Sequence, residues 1–291
     1  VLGAWLHLRF YKNGFSRAQE GATRRDHRSR SKWMEAALGW LPSRTRVLVA
    51  KEIRVFFRDS TQWSQLLLLG VLVVVYVYNV KVLPLYTGEQ ISFFLINVVS
   101  FLNLGLAGFV VAAIAARFVF PAMSLEGRMM WLLRSSPLDV KTLFWAKYWV
   151  GTVPLLLVAL PLIVVTNLVL DASTFIVVLT TGTMIGVTFA LTSLALGFGA
   201  IFPNYETENV AEIPTSFGGL LFMMTAVTYL ACVVILEAWP VYLFLGSRMG
   251  GTGGEGVVPL VVGVAGALTL TGLAIALPLW AGVRRVQRFE V

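Results

Sequence analysis

The sequence contains few charged residues. Only 13% of its 291 residues are Asp, Glu, Lys or Arg, whereas 57% are hydrophobic and the mean hydropathy is +0.79. Soluble domains usually carry about 25% charged residues. The scarcity of charge therefore excludes an ordinary soluble domain and indicates an integral membrane protein.

Cysteine and histidine are also scarce. The single cysteine, Cys232, lies in an apolar run, which excludes a disulfide framework and a cysteine metal site. The two histidines, His7 and His27, lie near the start of the chain, outside every complete apolar run. This position argues against a histidine proton relay within the membrane.

Several catalytic and nucleotide-binding motifs are absent. The sequence has no GxxxxGK[ST] phosphate loop, no HExxH and no GxSxG. The glycine-rich stretch GSRMGGTGGEG, residues 246–256, lacks the lysine of a phosphate loop, and its composition is typical of a flexible turn. We therefore expect no catalytic residue, no bound cofactor and no metal site, and we expect that the chain is not an enzyme.

Six apolar runs are long enough to cross about 30 Å of hydrocarbon as helices. They predict an all-α integral membrane protein with six transmembrane helices, over residues 63–81, 91–116, 149–170, 174–202, 216–238 and 257–281. The first residue is Val1, and residues 1–11 resemble half a span, so we expect them to be the tail of a span in a longer polypeptide. The predicted organisation is this tail, a basic linker over 12–62, a membrane domain over 63–283 and a tail over 284–291.

Lysine and arginine predict the orientation. Thirteen of the 23 lie in residues 1–58, five lie between Arg117 and Lys147, and three lie in the final tail. Six crossings place all of these on one side and leave only Lys81 and Arg248 on the other. The positive-inside rule makes the basic side cytoplasmic, which predicts a multi-pass protein of a bacterial cell membrane. The basic linker would also attract anionic lipid headgroups, and no nucleic-acid partner is expected.

Residues 43–63, SRTRVLVAKEIRVFFRDSTQW, have the pattern of an amphipathic helix. Apolar residues can share one side of this helix, with basic residues around the other. We expect the helix to lie at the inner membrane interface and to lead into the first span. The apolar residues are Leu48, Val49, Ile53, Phe56 and Phe57.

Polar residues within the predicted spans are few. No acidic residue lies at mid-span, and Glu237 lies at the outer end of the fifth run. Gly182, Gly186 and Ala190 fall on one helix face and would permit close helix contact. The remaining polar residues could join helices or line a path, and we favour helix packing for Asn97, Asn103, Asn167, Thr188, Thr192 and Ser193.

The segment EGRMMWLLRSSPLDVK, residues 126–141, separates the second and third apolar runs. A stripe of residues recurs at helical spacing, which predicts a short helix within 122–136. Its members are Leu125, Met129, Leu132, Leu133 and Ser136. Pro137 would end it, and Asp139 could favour the start of a second helix. This short helix could rest on lipid, or it could present a rigid surface to a cytoplasmic partner.

The order of these features resembles the permease subunits of export-type ABC transporters. Those permeases have six spans in each half, an amphipathic connecting helix before the first span, and a coupling helix between the second and third. The matching residues are Glu126, Gly127, Leu132, Leu133, Ser136, Pro137, Ala146 and Lys147. SRAQE, KEIRVFFRDSTQWSQLLLL and FPNYETENVAEIPTSFGG further resemble the second half of large bacterial ABC exporter permeases.

The resemblance implies a function and partners. The chain would form the translocation path of an ATP-driven exporter, with a cytoplasmic ATPase subunit and a second permease half, or a second copy, as partners. It names no cargo. The residues that it implies for ATPase coupling are Glu126, Gly127, Arg128, Met129, Leu132, Leu133, Arg134 and Pro137.

Two other classes of function stay open. A secondary, ion-coupled transporter would need ionisable groups or broken helices inside the membrane. An integral membrane enzyme or a scaffold is a further alternative. A carboxylate-only site for a divalent ion is conceivable at Glu206, Glu208 and Glu212, although no histidine lies near them.

Overall fold

The computed structural model describes residues 39, 42–58, 70–71, 73–76, 78, 89–129, 140–205, 210–248 and 257–288. Every regular element within these ranges is helical, which confirms the predicted all-α class. The chain divides into two compact units, residues 1–51 and 52–291. The second unit holds all of the long apolar helices.

Six α-helices and three short 3-10 helices make up the described elements. The 3-10 helices are η1 (Phe120–Ala122), η2 (Ser124–Met129) and η3 (Val210–Thr215). The α-helices are α1 (Ser43–Arg58), α2 (Glu89–Phe118), α3 (Val140–Val169), α4 (Thr174–Ile201), α5 (Phe217–Arg248) and α6 (Val257–Arg288).

Five of these helices, α2 to α6, are long and apolar enough to cross a membrane. They correspond to the second to sixth predicted spans. Most of the first predicted span, residues 63–81, lies outside the described residues, and its described pieces between 70 and 78 are helical. The count of six spans therefore stays a prediction.

Helix α1 confirms the helix predicted within residues 43–63. Leu48 and Val49 are buried, Ile53 is half-buried, and Arg54 is exposed. The side chains of Phe56 and Phe57 lie outside the described part of the chain. The burial of the described residues of α1 therefore agrees with the amphipathic pattern. The position of α1 at a membrane interface stays a prediction.

Helix α5 is longer than the sequence analysis predicted. The predicted span ended at residue 238, but the helix continues through Pro240 to Arg248. Proline inside a membrane helix is tolerated because neighbouring helices and polar side chains satisfy the freed backbone groups. The extension changes the setting of Glu237, which lies well inside α5 and is buried. The prediction that it sits at the end of a span was wrong.

Helix α4 is the centre of the bundle, because it packs against α2, α3, α5 and α6. Its contact with α6 is the closest. A Cβ atom on Gly197 would lie 2.6 Å from the backbone oxygen of Pro278, and one on Gly186 would lie 3.3 Å from Thr271. Nothing lies within 4 Å of a Cβ on Gly182, so the predicted small face makes contact at Gly186 and not at Gly182.

Buried amide side chains join the helices to one another. The Asn103 Nδ2 on α2 donates to Thr166 Oγ1 on α3 at 2.8 Å. The Asn167 Nδ2 donates to Thr180 Oγ1 on α4, also at 2.8 Å. These bonds confirm the predicted packing role of the two asparagines.

The turn between α3 and α4 is also fixed by an asparagine. Asn97 Oδ1 on α2 accepts from the backbone N–H of Ser173 at 2.9 Å. Asp171 in this turn has a positive φ of 53°, a conformation that Asp adopts more readily than most residues. A short turn over residues 170–173 therefore joins the helices of the third and fourth predicted spans.

The bundle has two ends with different charge. At the end where α2, α4 and α6 finish and α3 and α5 begin, the described chain carries Arg117, Lys141, Lys147, Arg284 and Arg285. We call this the basic end. The opposite end, which holds the α3–α4 turn, is called the far end.

A candidate coupling platform at the basic end

The segment that follows α2 begins with two 3-10 turns. Pro121 lies at the start of η1, and proline has no N–H with which to continue the hydrogen-bond ladder of α2. The sequence predicted a short helix within 122–136, and the described part of this segment, η2 over Ser124–Met129, has 3-10 geometry. Residues 130–139, with Asp139 as a proposed helix start, lie outside the described residues, and α3 begins at Val140.

A buried ion-pair cluster anchors this segment. The Lys147 Nζ on α3 lies 2.9 Å from Glu126 Oε1 on η2 and 3.1 Å from Glu52 Oε1 on α1. The Lys147 side chain is only 2% exposed, and those of Glu126 and Glu52 are 8% and 15% exposed. One lysine therefore joins three elements that are distant in sequence. We call these three residues the platform triad.

The triad holds its elements together because the charges have little access to water. Removing one member of a buried ion pair leaves an uncompensated charge, which costs far more than losing a surface pair. Glu126, which the family resemblance implies for ATPase coupling, is buried, and its carboxylate contacts Lys147.

Sequence reasoning missed Glu52 as a member of this site. It is the one acidic residue of α1, in a helix that carries five basic residues. It also lies one helical turn after Leu48 and Val49, on the buried side. An acid placed alone on the apolar side of a basic helix was the signal, because it needs a buried cation.

A second contact joins η2 to the stretch after α4. The backbone N–H of Asn204 donates to Ser124 Oγ at 3.1 Å. A Cβ atom on Gly127 would lie only 2.2 Å from Tyr205 Cδ1. The predicted site residue Gly127 is thus a point of close approach, where any side chain would push the Tyr205 ring away.

The aromatic core under the platform is equally tight. Phe120 of η1 stacks on Phe222 of α5, with ring centroids 6.1 Å apart. A Cβ on Gly199 of α4 would lie 2.3 Å from the backbone oxygen of Phe120. The 3-10 segment therefore rests directly on α4 and α5.

The other predicted site residues are placed only in part. Leu125, the first residue of the predicted apolar stripe, is 42% exposed. Arg128 and Met129 belong to η2, but their side chains lie outside the description. The rest of the stripe and its flanks also lie outside the described residues: Leu132, Leu133, Arg134 and Pro137.

The acidic loop is likewise only partly covered. Glu212 lies in η3 and is exposed, whereas Glu206 and Glu208 are outside the described part. Among the residues that the structure describes, no group of three His, Cys, Asp or Glu side chains could hold a metal ion. The divalent-ion alternative is therefore untested at this loop.

Comparison with known protein families gives one match over residues 1–291, to the family described as "Putative ATP-binding cassette". The chain belongs to this family. The match covers the apolar helices and the platform triad alike. Searches of curated proteins and of solved structures found no match.

The family description raises the question of an ATP site in this member of the putative ATP-binding cassette family. A phosphate loop joins a strand to a helix and uses the GxxxxGK[ST] pattern. The sequence has no such pattern, and every regular element in the described ranges is helical. The membrane-type helices, together with the family match, are compatible with the membrane component of an ABC transporter.

Proposed function

We propose that the chain is the permease subunit of an ATP-driven ABC exporter, and that it carries no catalytic residue itself. The observation that carries this proposal is the platform triad. The triad joins η2, the segment just before residues 130–139, to the apolar helix α3 and to the amphipathic helix α1. A partner that moves this segment would therefore move α3 with it.

The surroundings of the triad support transmission of movement to the rest of the bundle. The η1–η2 segment also contacts α4 through Gly199 and α5 through Phe222. Packed interiors transmit displacement because they have few voids that could absorb it. A displacement of η2 would thus reach three of the five apolar helices.

Energy from ATP would enter through a separate ATPase subunit. Such a partner shifts the permease between states only if it binds one state more tightly than the other. The exposed Leu125 begins the apolar stripe that such a partner would bury. In this proposal the basic end faces the cytoplasm of a bacterial cell, and the translocation path runs through the bundle or between two permease halves.

The experiment that tests this function truncates two leucines of the predicted apolar stripe that begins at Leu125. We expect Leu132→Ala/Leu133→Ala to remove two buried anchors, each typically worth roughly 1–3 kcal/mol at an interface. The full chain would be purified from native membranes with its associated subunits. Mass spectrometry would identify any subunit with a Walker motif, and ATP hydrolysis would be measured in the same sample. The double variant should lose most of the associated ATPase subunit and most of the ATP hydrolysis.

The matched control is Leu157→Ala/Leu168→Ala on α3. These leucines are 71% and 65% exposed on an apolar helix, so their truncation should leave ATPase association unchanged. Equal retention of the ATPase by both double variants would refute the coupling role. Absence of any ATPase subunit from the wild-type sample would refute the exporter assignment itself.

One observation favours a second function, a secondary ion-coupled transporter. Such proteins use ionisable groups inside the membrane, and Glu237 on α5 is buried within an apolar helix. Transport by the purified chain in vesicles, driven by an ion gradient with no ATP and no ATPase present, would favour this alternative. Under the exporter proposal no transport is expected in that sample.

A further inference from the structure

The carboxyl group of Glu237 is the most unusual polar group in the apolar part of the bundle. The residue is 2% exposed. Its Oε1 accepts a hydrogen bond of 2.6 Å from Thr183 Oγ1 on α4, and its Oε2 has no hydrogen-bond partner. None of the described lysines or arginines forms an ion pair with it. This buried carboxylate therefore has one neutral donor and an unused oxygen.

The hydroxyl of Thr183 is directed at the carboxylate in a way that its neighbours are not. Thr180, Thr188 and Thr192 on the same helix each donate to the carbonyl one turn earlier. Thr183 donates to Glu237 instead. Its hydroxyl orients and partly stabilises the carboxylate, but a single neutral donor does not offset the loss of water around a buried charge.

The pair lies inside the apolar region, nearer the far end. Thr183 is about 13 Å along α4 from the start of that helix at Thr174, given a rise of about 1.5 Å per residue. Glu237 is about 16 Å from the end of α5 at Arg248 by the same measure. The carboxylate therefore lies several helical turns away from the far end of the bundle.

Buried valines lie one turn from the pair on both helices. On α5, Val233 and Val241 lie one turn before and one turn after Glu237. On α4, Val187 lies one turn beyond Thr183 and is buried. A hard metal ion prefers several oxygen ligands, and no metal-binding group of acidic, cysteine or histidine side chains occurs among the described residues. A single carboxyl group beside buried valines suits a ligand with one positive charge and a small apolar body.

We propose that Glu237 and Thr183 form an intramembrane binding site for a monovalent organic cation, of the alkylammonium class. The carboxylate supplies the opposite charge, Thr183 orients it, and Val187, Val233 and Val241 contact the alkyl groups. That such a cation is exported cargo would rest on the proposed function, but its binding does not. The site can be tested on the chain without an ATPase.

The test is equilibrium binding of radiolabelled tetraethylammonium to the purified full chain in lipid nanodiscs. Tetraethylammonium carries a permanent charge and cannot lose a proton. We expect saturable binding to the wild type and an affinity at least about tenfold lower for Glu237→Gln. Glu237→Gln keeps an acceptor for Thr183. Thr183→Val keeps the carboxylate and should weaken binding about three- to tenfold, as for one lost hydrogen bond to a charged group.

The matched control is Asp171→Asn, which removes an exposed acid at the same end of the bundle and should change the affinity less than about twofold, given the screening of exposed charges. Gel filtration and thermal unfolding of each variant establish that it is folded. Absence of saturable binding to the wild type would overturn the proposal, as expected if a proton is the only cation that neutralises Glu237. Equal affinity of wild type and Glu237→Gln would also overturn it.

Discussion

Substitution of Lys147 by methionine is the sharpest test of the platform triad. Methionine keeps the length of the side chain but removes its charge. Two carboxylates, Glu126 and Glu52, would then be left in an environment where their side chains are only 8% and 15% exposed. Breaking a buried ion pair in this way costs about 3–5 kcal/mol. We take about 3 kcal/mol, because Glu52 retains some contact with solvent.

The expected result is a lower midpoint of thermal unfolding. At roughly 2–4 °C per kcal/mol for a chain of comparable size, the loss corresponds to about 6–12 °C. The measurement is thermal unfolding in detergent, followed by tryptophan fluorescence. Lys141→Met is the matched control, since Lys141 is an exposed lysine on the same helix, and its loss should shift the midpoint by no more than about 2 °C.

A rescue experiment separates charge from packing. If uncompensated charge causes the loss, Lys147→Met/Glu126→Gln/Glu52→Gln should regain most of the lost stability, because no carboxylate remains in the platform triad. A midpoint for Lys147→Met within about 1 °C of the wild type would refute the reasoning. So would a triple variant that is less stable than the single one.

Two further predictions concern packing and orientation. Gly199→Ala should lower stability by about 1–3 kcal/mol, because its Cβ would lie 2.3 Å from a backbone oxygen of η1. The control in the same unfolding assay is Gly182→Ala, because nothing lies within 4 Å of a Cβ at that position. The second prediction concerns topology: with Cys232 replaced, a cysteine at position 252 should react with an impermeant thiol reagent in intact cells, and a cysteine at position 29 should not. The reverse labelling would contradict the predicted topology.

The sequence predicted the apolar helices because length and composition suffice for them. A run of about 20 apolar residues has few alternatives to a membrane helix. The errors lie at the ends of these runs. The fifth predicted span ended at residue 238, whereas the helix continues through Pro240 to Arg248, and this error placed Glu237 at the end of a span instead of inside the helix.

The candidate site was harder to predict because its contacts join distant parts of the chain. Glu126 and Lys147 were both singled out through the family resemblance, but nothing in their spacing showed that they pair with each other. Glu52 lies 95 residues from Lys147, and their contact depends on how α1 packs near the start of α3. Periodicity assigns a residue to a face of its own helix, and the partner across that face comes only from the fold.

The two buried charged sites differ in a way that bears on how the protein works. At the basic end, Lys147 of the same chain contacts both Glu126 and Glu52. Nearer the far end, Glu237 accepts a hydrogen bond from the Thr183 hydroxyl, and none of the described lysines or arginines forms an ion pair with it. A buried charge that the protein does not neutralise itself favours any state in which something else does. Binding of a cation at Glu237 would therefore stabilise one arrangement of α4 and α5. At the basic end, Phe120 of η1 contacts the same two helices, α4 at Gly199 and α5 at Phe222.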